Sequence, residues 1–388
     1  MTTIPHLAAT VHPILTEQAD LAGRRTRLIQ RPTRSTFTGS TFVQTLVFGW
    51  LADPDASRDA LAQTAAAAGV TMTPQGLDQR FTAAAADGLR AVLAAGGDAA
   101  IGGAAVATPL IQRFTEVRII DGATITVPDA LADPWPGCGG RTPHPTAAAR
   151  TISVGLDLRA GALQGPFRES ARPHENGTTV AAQPAPPGSV RLGEAGCFNL
   201  ERFAALDAAA AYWLTRLRGG TTILTTDGVP VDRPAWRAPQ GPQGDQAVLV
   251  GQGQRLSARL LALRVPQEVA DQRRRRAQAA ARRSGPTARA APRARMDGTI
   301  LLTNAPRALL RLAEALALAR ARWQIELLFK LWQSHGKGTP WRSAKPGRIR
   351  CAVDAKLLAM LIHHWVMVVR CGKNPDRSLP TAARTVRA

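Results

Sequence analysis

Residues 116–129 read EVRIIDGATITVPD, two β-branched apolar runs on either side of Asp121-Gly122. This pattern predicts two short strands that meet at the Asp-Gly pair. Further strands are predicted in RTISVGLDLRAGAL (150–163), SVRLGEAGCF (189–198) and AAYWLTRL (210–217), with a helical pattern in NLERFAALDAA (199–209) before the last of them. Strands interleaved with a helix indicate a mixed sheet, so the fold class of this region is α/β.

The region before this sheet has helical periodicity, and we interpret residues 1–115 as an N-terminal helical domain. Within it, ALAQTAAAAGVTMTPQGLDQRF (60–81) has the outline of a helix-turn-helix, with Thr73-Pro74 opening the second helix. Helical hairpins of this composition are structural at least as often as they read DNA. A DNA-binding role and a purely structural role therefore both stay open for this segment.

The region after the first strands is rich in β pattern again. Strands are predicted in TTILTTDG, QAVLVGQGQ and RLSARLLALRVP between residues 221 and 266, and a later one in GTILLTNAP (298–306). Residues 307–370 are mostly helical in pattern. We place boundaries at 116–220 for the first part of the α/β core, 221–297 for a β-rich insertion, 298–345 for the end of the core and 346–388 for a C-terminal helical region.

An arginine-rich stretch closes the insertion, EVADQRRRRAQAAARRSGPTARAAPRARMDG (268–298). It has almost no large apolar residues, so we predict a solvated arm or loop that packs no core. A charge run is usually only a solvated face. The alternative is contact with DNA phosphates, for which the candidates are four consecutive residues, Arg273, Arg274, Arg275 and Arg276.

The overall charge favours a polyanionic partner. The chain of 388 residues has a formal net charge of +21 and a sequence pI near 11.5. Nucleic acid is the commonest such partner. Lysine occurs only from Lys330 onward, and the remaining basic charge is arginine in an Ala-, Gly- and Pro-rich background, which codon bias in a GC-rich genome would also produce. The charge therefore indicates DNA binding without proving it.

Four cysteines, Cys138, Cys197, Cys351 and Cys371, lie far apart without a C-x-x-C pair, so neither a zinc module nor a disulfide framework is predicted. The N-terminus lacks the basic and apolar segments of a signal peptide. The apolar run AKLLAMLIHHWVMVV (355–369) is shorter than the ~20 residues of a membrane span. We expect a cytoplasmic protein in which this run is a buried helix.

Acids are scarce, at 28 in the chain, so their positions carry information. Asp121 and Asp227 each follow an apolar run and precede a Gly, Glu194 ends a predicted strand, and Glu326 lies inside RWQIELLFK (322–330). For either Asp, the structural alternative to a role in catalysis is that its carboxylate caps a turn. For Glu326 it is a pair of helical i,i+4 ion pairs with Arg322 and Lys330, which contribute only a few tenths of a kcal/mol.

Three acids from two strands and a later helix are the set that would hold divalent ions for phosphodiester chemistry. Carboxylate oxygens suit Mg²⁺, which takes only one or two carboxylates per ion. Two ions about 4 Å apart activate the attacking oxygen and stabilise the leaving oxygen. Convergence of these acids predicts a two-metal site for Mg²⁺, with Mn²⁺ as a substitute.

At these residues the sequence resembles bacterial insertion-sequence transposases of the Asp-Asp-Glu type, in the group with the Tyr-x-x-Arg-x-x-x-Glu-x-x-x-x-x-x-Lys helix. RWQIELLFK is the most specific match, and IIDGATI (119–125) is moderately specific. Further matching segments are FVQTLVFGWL, QGLDQRFTAAA, PPGSVRLGEAGCFNL, LTNAP and RIRCAVDAKLLAMLIHHW. The resemblance implies a ribonuclease-H-like catalytic core with a β-rich insertion, an N-terminal helical domain and a C-terminal helical region.

The resemblance also implies roles for single residues. Asp121 matches the first catalytic acid, Glu326 the last, and Glu194 stands where the family has its second Asp. These three acids would be catalytic and would bind both metal ions. Arg322 and Lys330 would bind DNA phosphate, and the implied partners are the terminal inverted repeats and target DNA, held by a homodimer.

Three positions depart from the family pattern. Glu replaces the second Asp at position 194, the Tyr falls on Ala319 and the second Lys on Gln333. The family also continues with more helix after a segment like NPDRSLPTAARTVRA, so the resemblance implies a truncated C-terminal region. Asp227 is the alternative second acid.

Three functions are thus compatible with the sequence. The first is a transposase that hydrolyses DNA at element ends and transfers strands by 3′-hydroxyl attack. The second is a catalytically impaired protein that binds DNA and inhibits an intact transposase. The third is a ribonuclease-H-like nuclease without transposition, which leaves the RWQIELLFK helix unexplained.

Overall fold

The computed structural model describes residues 4–28, 37–99, 108–137, 148–171, 177–231, 243–265, 267–283, 298–336, 341 and 343–371. The chain divides into two compact units. The first comprises residues 1–107, 120–182 and 324–388, and the second comprises residues 108–119 and 183–323.

The α-helices in the described ranges are α1 (Ile4–Pro13), α2 (Ala19–Thr26), α3 (Gly39–Ala52), α4 (Arg58–Ala67), α5 (Pro74–Asp78), α6 (Ala83–Asp98), α7 (Pro109–Gln112), α8 (Thr179–Ala182), α9 (Leu200–Ala208), α10 (Gln267–Arg283), α11 (Leu312–Ala321), α12 (Trp323–Gly336) and α13 (Pro346–Cys371). The strands are β1 (Val117–Thr126), β2 (Ala149–Asp157), β3 (Leu163–Ser170), β4 (Val190–Gly193), β5 (Tyr212–Arg216), β6 (Ile223–Leu224), β7 (Gln243–Val250), β8 (Leu256–Arg264) and β9 (Gly298–Thr303).

The first unit contains the predicted N-terminal helices. Helix α3 is buried almost all round, including Phe42, Leu46 and Trp50. Helices α3 and α6 both pack against α13. A side chain could not be added at Gly96 of α6 without crowding Leu358 of α13, because a Cβ there would lie 3.0 Å from the Leu358 side chain.

The predicted helix-turn-helix segment forms α4, a turn and α5. Gly69 has a φ of +82°, and Thr73 caps α5 by accepting a hydrogen bond from the Gly76 N–H at 3.0 Å. Helix α5 has five residues and is therefore only about 7.5 Å long. The helix start at Pro74 is confirmed, whereas DNA contact by this segment stays a prediction.

The second unit contains most of a mixed sheet. In the described ranges the nine-stranded sheet has the order β3-β2-β1-β4-β5-β9-β8-β7-β6, and the strands from β4 to β6 in this order belong to the second unit. The pairs β1–β4 and β4–β5 are parallel, and β5–β9, β9–β8, β8–β7 and β7–β6 are antiparallel. The predicted α/β fold class with a mixed sheet is confirmed, as are strands in the segments 221–266.

An aromatic cluster forms the core of the second unit. Phe203 of α9 stacks on Trp213 of β5 with ring centroids 4.4 Å apart, and Phe198 meets Phe203 edge to face. Leu260 and Leu302 pack against this cluster from β8 and β9. Strands β6, β7 and β8 of the predicted insertion therefore share one apolar core with α9.

The arginine-rich stretch is where the prediction of a loop was wrong. Residues 267–283 form helix α10. Ala, Arg and Gln are strong helix formers, Glu268 lies in the first turn where the helix dipole favours an acid, and Ala270 is buried. The aliphatic parts of arginine side chains also cover apolar surface, so the helix can pack with few large apolar residues. The rest of the predicted loop, 284–297, lies outside the described residues.

Helix α13 runs through the core of the first unit. Its segment Pro346–Val369 is long and apolar enough to cross a membrane by length and composition, but 72% of its most apolar window is buried inside the protein. Asp354 is fully buried on it and accepts hydrogen bonds from Arg168 of β3 at 2.7 and 2.8 Å. A mostly buried helix with an internal ion pair fits the predicted core helix.

Candidate active site

Asp121 lies within a continuous strand, which corrects the prediction of a turn at Asp121-Gly122. Strand β1 runs on to Thr126. A Cβ at Gly122 would lie 3.3 Å from the Thr151 side chain, so close approach of β2 accounts for the glycine. The Asp121 carboxylate is half-buried and accepts a hydrogen bond from the Gly122 N–H at 2.8 Å.

Asp121 nevertheless stands at the end of the parallel part of its strand. The register of β1 with β4 runs from Val117 opposite Val190 to Ile119 opposite Leu192. Asp121 comes two residues after Ile119 along the chain. Side chains beyond the carboxyl end of a parallel pair are the usual place for chemistry in α/β sheets.

Glu194 follows the last residue of β4 directly. It comes two residues after Leu192, the same offset along the chain as that of Asp121 from Ile119. Its carbonyl oxygen accepts a hydrogen bond from the Thr215 hydroxyl of β5 at 3.2 Å. The backbone at this acid is thereby fixed to the neighbouring parallel strand.

The Glu194 carboxylate forms an ion pair with the Arg322 guanidinium. The glutamate side chain is 47% exposed, whereas that of Arg322 is 12% exposed. Because the acid is open to solvent and the arginine is not, the acid is the partner that can turn toward an incoming ligand. This contact joins two predicted site residues that are far apart in sequence, and no spacing in the sequence indicates it.

The acid of the RWQIELLFK segment lies on α12. Glu326 is half-buried and Lys330 is exposed. Helix α11 ends at Ala321, and Arg322, with helical φ and ψ of −52° and −29°, separates it from α12. The side chain of Gln333 lies outside the described residues.

The alternative second acid, Asp227, lies on an exposed turn after β6. Gly228 beside it has a φ of +89°. A side-chain hydrogen bond with Thr225 lowers the pKa of Asp227. This environment is that of a turn cap, the structural alternative considered for this residue.

The four predicted phosphate contacts of α10 differ in their surroundings. Arg273 donates hydrogen bonds to the Gly298 carbonyl at 3.2 Å and to the Thr299 hydroxyl at 3.3 Å, and burial lowers its pKa, with a smaller effect from nearby Arg216. Arg274 donates to Asp271 at 2.6 Å. Arg275 and Arg276 are exposed.

The donor set offers hard oxygen ligands, since all three predicted metal ligands are carboxylates. Among the described residues, no group of three or more His, Cys, Asp or Glu side chains is arranged to hold a metal ion. Glu194 is engaged by Arg322. Carboxylate oxygens suit a divalent cation by their chemistry, whereas in the structure the Glu194 carboxylate is paired with an arginine instead.

Comparisons with known proteins show the family to which the chain is similar. The family described as Transposase DDE domain matches residues 112–362. The chain is 24% identical over 354 residues to the transposase for insertion sequence element IS231B of Bacillus thuringiensis subsp. berliner, covering 84% of this chain and 72% of that protein. It is also 24% identical over 340 residues to the transposase for insertion sequence element IS231D of Bacillus thuringiensis subsp. finitimus, covering 81% and 70%. A family match over more than half of the chain shows that this protein belongs to the DDE transposases of bacterial insertion sequences.

Proposed function

We propose that this transposase cuts DNA at the terminal inverted repeats of an insertion sequence and joins the freed 3′ ends to target DNA. The relatives are named as transposases for insertion sequence elements, and the strongly basic chain suits a DNA substrate. We assign the catalytic centre to Asp121, Glu194 and Glu326 on a ribonuclease-H-like core. The observation that carries this assignment is the equal offset of Asp121 and Glu194 past the parallel β1–β4 register.

In this proposal the three carboxylates hold two Mg²⁺ ions, which Mn²⁺ can replace. When bound, such ions lower the pKa of the attacking water or 3′-hydroxyl and stabilise the leaving oxygen. The chain itself orients the ligands: β1 and β4 fix the backbone of the first two acids, and α12 fixes that of Glu326. Cleavage breaks a phosphodiester P–O bond as water adds to phosphorus, and strand transfer repeats the exchange with the 3′-hydroxyl as the attacking group.

We assign phosphate binding to Arg322 and Lys330. Arg322 is nearly buried and is held in place by its contact with Glu194. A guanidinium at this position would donate two parallel hydrogen bonds to a phosphate. Lys330 is exposed and supplies a second charge. We further propose that a homodimer holds the two element ends and works in the cytoplasm on nucleoid DNA.

The alternative function is DNA binding without efficient cleavage, as an inhibitor of an intact transposase. The Glu194–Arg322 ion pair favours it, because it engages one of the proposed metal ligands. Ala319 and Gln333 lack the aromatic and basic side chains that the family has at these positions. Both functions predict binding to the terminal repeat, and only the first predicts cleavage.

The test is incubation of the full chain with a duplex that carries the element's terminal inverted repeat and with a target plasmid. The transposase function predicts nicks at the repeat end that require Mg²⁺ or Mn²⁺, followed by covalent joining to the plasmid. Binding without cleavage under either metal would establish the alternative function. Cleavage without joined products would identify a nuclease rather than a transposase.

A further inference from the structure

Helix α10 carries four consecutive arginines that cannot all face one partner. Successive residues of an α-helix are rotated by about 100°, so Arg273 to Arg276 point in nearly all directions around the axis. The structure divides them into two pairs. Arg273 and Arg274 have protein partners, and Arg275 and Arg276 point into solvent.

In the first pair, Arg273 attaches the helix to β9, and Arg274 is paired within the helix itself. Arg273 is half-buried, and its two hydrogen bonds end on Gly298 and Thr299 at the start of β9. Arg274 forms an ion pair with Asp271 one turn earlier at 2.6 Å. Together with buried Ala270, these side chains form the stripe at positions 270, 273 and 274 that faces the protein.

The second pair belongs to the opposite stripe. Gln272, Arg275, Arg276 and Ala279 are all exposed, and their spacing of three, four and seven residues places them on one face of the helix. The acids of the helix, Glu268 and Asp271, lie at or before its first turn and a half. Exposed Glu268 continues this face toward the start of the helix, and from Gln272 to Ala279 the face carries two arginines and no acid.

More positive charge lies close to this helix. Arg216 at the end of β5 is exposed and near enough to Arg273 to lower the pKa of that guanidinium. Like charges brought together at a surface repel one another, and an external anion relieves this repulsion. Arginine donates two parallel hydrogen bonds to a phosphate, and the duplex backbone offers phosphates in a continuous row.

We propose that the face of α10 formed by Gln272, Arg275, Arg276 and Ala279 binds the phosphate backbone of duplex DNA outside the catalytic centre. It adds affinity that is independent of base sequence, since guanidinium contacts to phosphate position a duplex without reading it. Arg273 attaches the helix to β9, and Arg274 is engaged by Asp271 of the same helix. This inference rests on the proposed function in one respect, namely that the substrate is duplex DNA.

The test compares the double variant R275Q/R276Q, which removes two charges, with R274Q, which removes one charge from the other side of the same helix. Gln keeps the helix propensity of Arg, so thermal unfolding should show both variants folded. Binding is measured from 50 to 300 mM salt on a terminal-repeat duplex and on a scrambled duplex of equal length. For R275Q/R276Q the slope of log K against log salt should fall in magnitude by about two, with equal weakening on both duplexes. R274Q should keep the slope of the unmodified chain.

An unchanged slope in R275Q/R276Q would overturn the inference, as would a loss confined to the terminal-repeat duplex, which indicates base reading. A slope change of about one in R274Q would also contradict it, because the slope would then follow the net charge of the helix rather than its exposed face. Failure of the proposed cleavage leaves these binding slopes measurable. The two proposals therefore fail separately.

Discussion

The length of the side chain at position 194 determines which group its carboxylate contacts. A glutamate carboxylate there reaches Arg322 and forms an ion pair with it. An aspartate, which the resemblance implies at this position, is shorter by one methylene, so its carboxylate would be withdrawn by ~1 Å toward the end of β4. A displacement of this size can change a catalytic rate about a hundredfold.

Glu194→Asp should therefore raise the rate of metal-dependent cleavage at the terminal repeat. We expect an increase of about tenfold to a hundredfold, since the aspartate carboxylate would lie nearer the end of β4, at the side-chain length that the resemblance implies for the second acid. Initial rates with Mg²⁺ measure it. The control is Glu201→Asp, the same change at an exposed acid of α9, which should leave the rate unchanged. A slower Glu194→Asp enzyme would show that this chain's site is adapted to glutamate.

Long-range contacts explain why the sequence indicates the acids but not their partners. Asp121, Glu194 and Glu326 stand out because acids are scarce and each adjoins an apolar run. The contact of Glu194 with Arg322 depends on how distant segments meet, which periodicity does not encode. The i,i+4 spacing in α12 suggested only local partners for Arg322.

At the scale of elements, strands and helices with a clear period were predicted well. Strand β4, strand β5 and helix α9 lie where the alternating and helical patterns placed them. Helix α10 was missed because its helix-forming residues are polar or small, so its composition resembled a solvated loop. The turn predicted at Asp121-Gly122 was wrong for a different reason. Gly122 allows the close approach of β2, and the chain does not reverse there.

Helix α13 buries two titratable groups whose effects on stability have opposite signs. Burial raises the pKa of Asp354 to about 6, against the opposing effect of Arg168. Burial also lowers the pKa of His364 to about 4, with its Nε2 at 3.1 Å from the Gly161 carbonyl oxygen. As the pH falls from 6.5 to 4, the unfolded chain gains a proton at His364 that the folded chain does not. Over nearly the same pH range the folded chain takes up a proton at Asp354 before the unfolded chain does. This uptake stabilises the folded state and offsets part of the stability that is lost through His364.

His364→Gln should therefore gain stability relative to the unmodified protein as the pH falls. The folded pKa is depressed, so His364 contributes stability that is present above pH 6.5 and lost toward pH 4, and the variant lacks that loss. The difference in free energy of unfolding should shift by about 2–3 kcal/mol in favour of the variant between pH 7.5 and 4.5. Urea titrations at the two pH values measure it. Parallel pH dependence of the two proteins would show that His364 is protonated in the folded state.

At the scale of the whole molecule, the net charge and the family match both indicate that the protein acts on DNA. A net charge of +21 favours a polyanion, and the match to the DDE transposase family identifies a DNA-acting enzyme. Charge alone could not have done so, because a GC-rich coding sequence also enriches arginine. Helix α10 shows the same limit on a smaller scale, because only the structure separates the arginines that have partners in the protein from those that are exposed to solvent.

The most direct test of the account is whether three acids from separate segments act as one catalytic set. Asp121→Asn, Glu194→Gln and Glu326→Gln are compared with Asp227→Asn in cleavage of the terminal-repeat duplex with Mg²⁺ and with Mn²⁺. Loss of a metal ligand removes several kcal/mol of transition-state stabilisation, so each of the first three should lose activity by about a thousandfold or more while still binding DNA. Asp227→Asn should cleave like the unmodified chain. If Asp227→Asn abolishes cleavage and Glu194→Gln does not, the assignment of the second acid is wrong.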